Sequence, residues 1–127
     1  MGLPVHRISP EERRAGPATS GMIREEAVST GRSWAGLVTT EAGMVSGWHH
    51  HAGYETTIYV LSGALRMEFG PGGAVALDAG PGDFVFVPPN AVHRESNSSG
   101  DASRIVVWRS GSGEAVVNVA GAEPATS

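Results

Sequence analysis

Hydrophobic and polar residues alternate along short stretches of this chain, most cleanly where Leu65, Met67 and Phe69 are interleaved with Arg66 and Glu68. A period of two is the mark of a β-strand that buries one face. Further runs rich in β-branched and aromatic residues predict strands over Trp34 to Thr40, Val45 to His51, Thr57 to Leu61, Ala64 to Phe69 and Ala74 to Leu77. The series continues with Phe84 to Val87, Val92 to Asn97, Arg104 to Arg109 and Ala115 to Val119. Glycines punctuate them at Gly43, Gly53, Gly63, Gly70 to Gly73 and Gly80 to Gly82, and Leu61-Ser62-Gly63-Ala64 reads as a hairpin turn. Short strands at this spacing predict an all-β barrel or sandwich.

Both ends depart from the pattern. Ser9-Pro10-Glu11-Glu12 combines a capping hydroxyl, a first-turn proline and a glutamate three residues after the serine, which predicts a short N-terminal helical turn ended by Gly16-Pro17. Residues 121–127 are small and polar, as expected of a disordered tail. The expected division is an N-terminal arm over residues 1–20, one barrel over 21–120, and that tail.

Composition narrows the function classes. The chain has 127 residues, of which 40% are hydrophobic and 17% charged, in keeping with one soluble domain. Its formal charge is -4, and its nine Lys and Arg are scattered, so no basic stripe suits nucleic acid. Neither a membrane-length apolar run nor a secretory signal is visible, which gives the expectation of a cytoplasmic protein with no membrane partner. With no cysteine, a metal would have to rest on nitrogen and oxygen ligands.

Four of the five histidines fall in two places: Trp48-His49-His50-His51-Ala52-Gly53-Tyr54-Glu55, and His93 about forty residues later. On a strand His49 and His51 share one face and His50 takes the other, so the pair can chelate one ion. The Ala52-Gly53 turn could bring Glu55 back to that ion, and His93 could complete the set from a facing strand. Three imidazoles and a carboxylate suit one divalent transition metal: Fe, Mn, Ni, Co, Cu or Zn. Taken alone, three adjacent histidines would more often be a solvated surface run.

The surroundings change that balance. Gly43, His49, His51, Glu55 and Gly63 follow the order of one gapped motif, and Gly82, Pro88, Asn90, His93 and Asn97 follow a second. Together they resemble the two signature motifs of the cupin superfamily, over Gly43 to Asn97. Asn90 stands where that family has glycine, and asparagine is the side chain best suited to a left-handed turn. Seven residues rather than six separate Glu55 from Gly63, so counting back from the glycine puts the carboxylate slot on Thr56. A β-bulge between Thr56 and Tyr59 would absorb the extra residue and keep Glu55 inward.

The resemblance implies a jelly-roll, double-stranded β-helix barrel with the metal inside, held by His49, His51, His93 and Glu55. Such a site keeps positions open for a small-molecule ligand or substrate. It implies a metal-dependent enzyme on a small oxygen-rich molecule: an oxygenase with iron or copper, an isomerase, cyclase or lyase with manganese, nickel or zinc. The competing readings are a stand-alone ligand-binding or sensing cupin, and a barrel that holds no metal. A homodimer is expected, with Ile105 to Trp108 and Val116 to Val119 available for the interface.

Overall fold

Strict alternation governs the longest strands. From Ser103 to Ser110 the buried residues are Ser103, Ile105, Val107 and Arg109, while Arg104, Val106, Trp108 and Ser110 are exposed. A computed structural model describes residues 4–125. Among them the strands are β1 (Arg14–Ala15), β2 (Ile23–Ser29), β3 (Ser33–Thr40), β4 (His49–His50), β5 (Glu55–Ser62), β6 (Leu65–Phe69), β7 (Val75–Ala79), β8 (Phe84–Val87), β9 (His93–Ser96), β10 (Ser103–Ser110) and β11 (Val117–Asn118). They form a six-stranded sheet in the order β1-β2-β3-β10-β5-β8 and a five-stranded sheet in the order β11-β4-β9-β6-β7. Neighbouring strands pair antiparallel throughout, as the all-β jelly-roll requires. No helix of the described residues is long and apolar enough to cross a membrane.

The inner faces of the two sheets meet in an apolar core that includes Trp34, Val38, Ile58, Val60, Leu65, Met67, Val85, Val87, Ile105 and Val107. Each fully buried Ile or Leu side chain contributes about 1.5–3 kcal/mol relative to exposure. Polar residues share the interior with this core: Arg24, His49, His51, Thr56, His93, Glu95 and Arg109 are all buried.

The sequence reading and the structure differ at several points. β2 is a full strand that the hydrophobic pattern does not show, because Arg24 occupies its buried inward position. Between Val45 and His51 only β4 is regular; Ser46 instead donates its amide to the Glu95 carbonyl at 2.7 Å, and Gly47 donates to Ser20 at 3.0 Å. The N-terminal helix is one 3-10 turn, Pro10–Glu12, held where the Ser9 hydroxyl donates to Glu12 Oε1 at 2.9 Å. Residues of the arm join the sheet, since β1 pairs with β2. The tail is not simply frayed either: Gly72 donates its amide to the Glu123 carbonyl at 2.8 Å, while residues 126 and 127 lie outside the described chain.

Gly36 and Gly63 are dictated by space and backbone. A Cβ at Gly36 would collide with the Glu25 carbonyl on β2, next to the bulge between Glu26 and Val28. Gly63 has φ +78, and a Cβ there would lie 2.7 Å from the Ser103 Cα, so the β5–β6 hairpin needs a residue without a side chain.

Candidate metal centre

Three histidines converge inside the barrel. β4 and β9 pair with His49 opposite His93, which places both on the inner face of the five-stranded sheet, and His51 follows one inward step beyond His49. Their relative exposures are 0%, 3% and 1% for His49, His51 and His93. One ring nitrogen from each lies within 4.8 Å of the others. His50, on the opposite face, turns its Nδ1 to accept the Ala52 amide at 3.0 Å.

The second ring nitrogen of each histidine fixes its orientation. Nδ1 of His49, His51 and His93 meets the carbonyls of Gly47, Ala115 and Ala91 at 3.0, 2.8 and 2.9 Å. A carbonyl only accepts, so each Nδ1 carries the hydrogen and each Nε2 presents a lone pair to the barrel interior. Nε2 of His49 and of His93 are buried with no hydrogen-bond partner. Tethering one imidazole nitrogen to a carbonyl is how proteins orient metal-binding histidines. Orphaned, converging lone pairs are the donor set that a borderline divalent ion requires.

Beside this group, but outside the set whose donor atoms all lie within 4.8 Å of one another, stands one buried carboxylate, Glu95. It is two residues beyond His93 on β9 and shares its inward face, with Oε2 3.5 Å from His49 Nε2 and 4.0 Å from His93 Nε2. Burial alone would raise its pKa. A His49 imidazole that carries a proton on Nε2, followed by the charges of His93 and Arg24, outweighs burial and holds the carboxyl down at about 2, an effect of the protonated ring and not of the lone-pair tautomer. Period-two alternation of His93, Glu95 and Asn97 was the available signal. Asn97 itself serves the turn after β9, donating to the carbonyls of Thr40 and Asp101 at 3.0 and 2.7 Å.

Glu55, expected as an inward ligand, opens β5 on its exposed side and does not join the histidines; the inward neighbour is Thr56, 1% exposed. The bulge that absorbs the extra residue lies at Leu61 rather than between Thr56 and Tyr59. Arg104 pairs with Ser62 and Ile105 with Val60, leaving Leu61 without a partner. Thr56, Ile58 and Val60 thus stay inward in unbroken alternation from the start of β5.

Burial depresses the imidazoles of His51 and His93. His93 is lowered to about 4, chiefly by burial, with Glu95 opposing and His49 and Arg24 adding to the shift. His51 is lowered further, by burial first and then by the charge of Arg109. Both are neutral near pH 7, the form a metal requires. Asn90 has φ +60 and donates its amide to the Ala52 carbonyl at 2.8 Å, joining the turn before His93 to the turn after His51.

A cavity of about 140 Å³ reaches His93 and is lined by Met67, Phe69, Leu77, Phe86, Val87, Pro88 and Ala91 in addition to it. It opens between β8 of one sheet and β6 and β7 of the other. A wider depression of about 590 Å³ lies away from His49, His51 and His93, against the arm with its His6 and against β2.

Comparison with known proteins agrees with this architecture. The family model of the cupin domain matches residues 36–109, more than half of the chain, and the protein belongs to the cupin family. No curated protein matches in sequence. Among solved structures, a conserved protein with a double-stranded β-helix domain from Klebsiella pneumoniae is similar with a TM-score of 0.72 and 20% identity, over 91% of this chain and 98% of that one. The polyketide cyclase RemF from Streptomyces resistomycificus is similar with a TM-score of 0.69 and 22% identity, over 94% and 86%. Oxalate decarboxylase matches with a TM-score of 0.71 and 22% identity, over 86% of this chain but 31% of that one. At these identities the likeness shows the fold.

Proposed function

We propose that this cupin is a metal-dependent enzyme acting on a small oxygen-rich molecule, with one divalent transition ion held by His49, His51 and His93 and by the carboxylate of Glu95. The observation that carries the reading is the convergence of three carbonyl-tethered imidazoles whose ring nitrogens lie within 4.8 Å of one another, one of which, His93, is reached by a cavity. A buried structural ion would need no such access. The ion would supply Lewis acidity toward a ligand oxygen, or redox chemistry if it is iron or copper. The chain's own part is to keep the His51 and His93 imidazoles neutral by burial, to fix the tautomers of all three through the backbone, and to exclude water with the apolar cavity wall. Cyclase and decarboxylase activities among the structural neighbours, one of them described with Mn(II) centres, support non-oxidative chemistry as one outcome.

The chain is further proposed to work as a homodimer in the cytoplasm. Val106 and Trp108 on β10 and Phe84 and Phe86 on β8 project from the outer face of the six-stranded sheet, 37%, 55%, 72% and 57% exposed. The cross-strand rows Trp108–Thr57–Phe86 and Val106–Tyr59–Phe84 make them one patch, which suits a second copy.

The test is turnover. Protein loaded separately with Fe(II), Mn(II), Ni(II), Cu(II) or Zn(II) is offered small carboxylates, enolisable ketones and catechols, with oxygen uptake and product mass followed together. Conversion that disappears in His93→Ala supports the reading. Saturable binding of a compound with no conversion under any metal favours a sensing cupin instead.

A further inference from the structure

The buried interior carries an excess of positive charge that the metal site does not use. Among the described residues the buried charged side chains, histidines aside, are Arg24, Arg109 and Glu95: two cations to one carboxylate. Arg24 is largely accounted for, since its Nη1 donates to Thr19 Oγ1 at 2.6 Å and to the Pro17 carbonyl at 3.1 Å. Arg109 is not. It is 2% exposed, its guanidinium stacks over Trp34 at 4.4 Å, and its Nε and Nη1 have no hydrogen-bond partner. Directly opposite it in the β10–β5 register is Thr56, whose buried hydroxyl is likewise unpartnered.

These two groups sit beside the histidine cluster. Trp34, Arg109, Thr56 and Val87 form one inward row across the six-stranded sheet, and Val87 lines the cavity that reaches His93. The end of β10 packs on the turn after His51, so closely that a Cβ at Gly111 would lie 2.9 Å from the Gly53 carbonyl. Burial pulls the Arg109 pKa down to about 9, which still leaves it charged at neutral pH, and that charge acts on both His51 and Glu95. Leaving a charged donor unmade in a buried place costs more than an average hydrogen bond returns. A divalent ion on the histidines would add to the same excess.

We propose that the ligand of this site is a small carboxylate-type anion, one oxygen directed to the histidine-held ion and another held by the Arg109 guanidinium and the Thr56 hydroxyl. A short apolar part of the molecule would lie against Phe69, Leu77 and Val87. Arg109 thus selects the anion; it and Thr56 border the cavity of about 140 Å³ through Val87 of their row and do not line it themselves. The assignment rests on the proposed metal-site reading for the first oxygen and on Arg109 alone for the second.

Calorimetric titration decides it, using oxalate, malonate, 2-oxobutanoate and benzoate against their neutral amides, on Co(II)-loaded and on metal-free protein. At least one carboxylate should bind the cobalt form tenfold or more tightly than its amide. Arg109→Met should abolish that preference while still holding one cobalt per chain, and Thr56→Val, which removes only a hydroxyl, should weaken carboxylate binding severalfold. Amides binding as well as the acids, no acid binding, or wild-type affinity in Arg109→Met would overturn the proposal. Cobalt content reports the metal site separately. Should cobalt fail to load, a carboxylate preference in the metal-free protein that vanishes in Arg109→Met still upholds the role of Arg109, and its absence overturns it.

Discussion

Oε2 of Glu95 lies 3.5 Å from Nε2 of His49, inside the barrel, while Glu55 faces solvent at the start of β5. The carboxylate beside the cluster therefore comes from the strand that carries His93. Glu95→Gln keeps the shape and removes the charge, so it should weaken metal affinity at least tenfold, whereas Glu55→Ala should leave it unchanged. Competition against a chelating dye measures both. Equal affinities in the two variants would return the centre to three histidines.

Asn90 tests the turn before His93. Its φ of +60 suits glycine and asparagine and strains a β-branched side chain. Asn90→Gly should melt within a degree or two of wild type, while Asn90→Val should cost about 1–3 kcal/mol. Matching denaturation midpoints would mean that this turn is not left-handed in solution.

Much of this was legible in the sequence, and what was hidden was hidden for physical reasons. Runs of β-branched and aromatic residues, with clean alternation in β6, located β3, β5, β6, β8 and β10 to within two residues, and the His-x-His spacing put His49 and His51 on one face. β2 stayed invisible because a buried arginine breaks the apolar pattern that identifies strands. Glu95 fills no slot of either motif, and only the period-two rule that residues 93 and 95 share a strand face points to it. The unpaired Leu61 could have been found the same way: Ile58 and Val60 read inward, which already puts Thr56 with them.

The metal-free protein should lose stability in mild acid. The unfolded chain takes up protons at imidazoles near pH 6.5, whereas His93 in the fold resists protonation until about pH 4, and His51 resists more strongly. Between those values the unfolded state binds more protons, so stability falls as pH falls. Glu95, held at about 2, contributes stability that is complete above its ordinary value of 4.5 and lost as pH drops through that value toward 2. A thermal-melt series on metal-free protein should show the melting temperature decline steadily from neutral pH to about pH 4, with a shallower decline in His93→Asn. A flat profile over that range would contradict the buried neutral imidazoles.

Trp108 and Phe84 stand on the outer face of the six-stranded sheet, away from the histidines. Trp108→Asp or Phe84→Asp should convert a dimer to a monomer with little effect on metal content. Light scattering at micromolar concentration reads the mass, and a wild-type monomer would remove the proposed interface.

The central claim is that His49, His51 and His93 hold one ion, and elemental analysis of protein purified without a histidine tag tests it most directly. The geometry requires about one divalent transition metal per chain, lost in His49→Ala, His51→Ala and His93→Ala and retained in His50→Ala, whose side chain faces the other way. A wild-type protein that stays metal-free after exposure to Fe(II), Mn(II), Ni(II), Cu(II) and Zn(II), or a His49→Ala protein that keeps its metal, would contradict it.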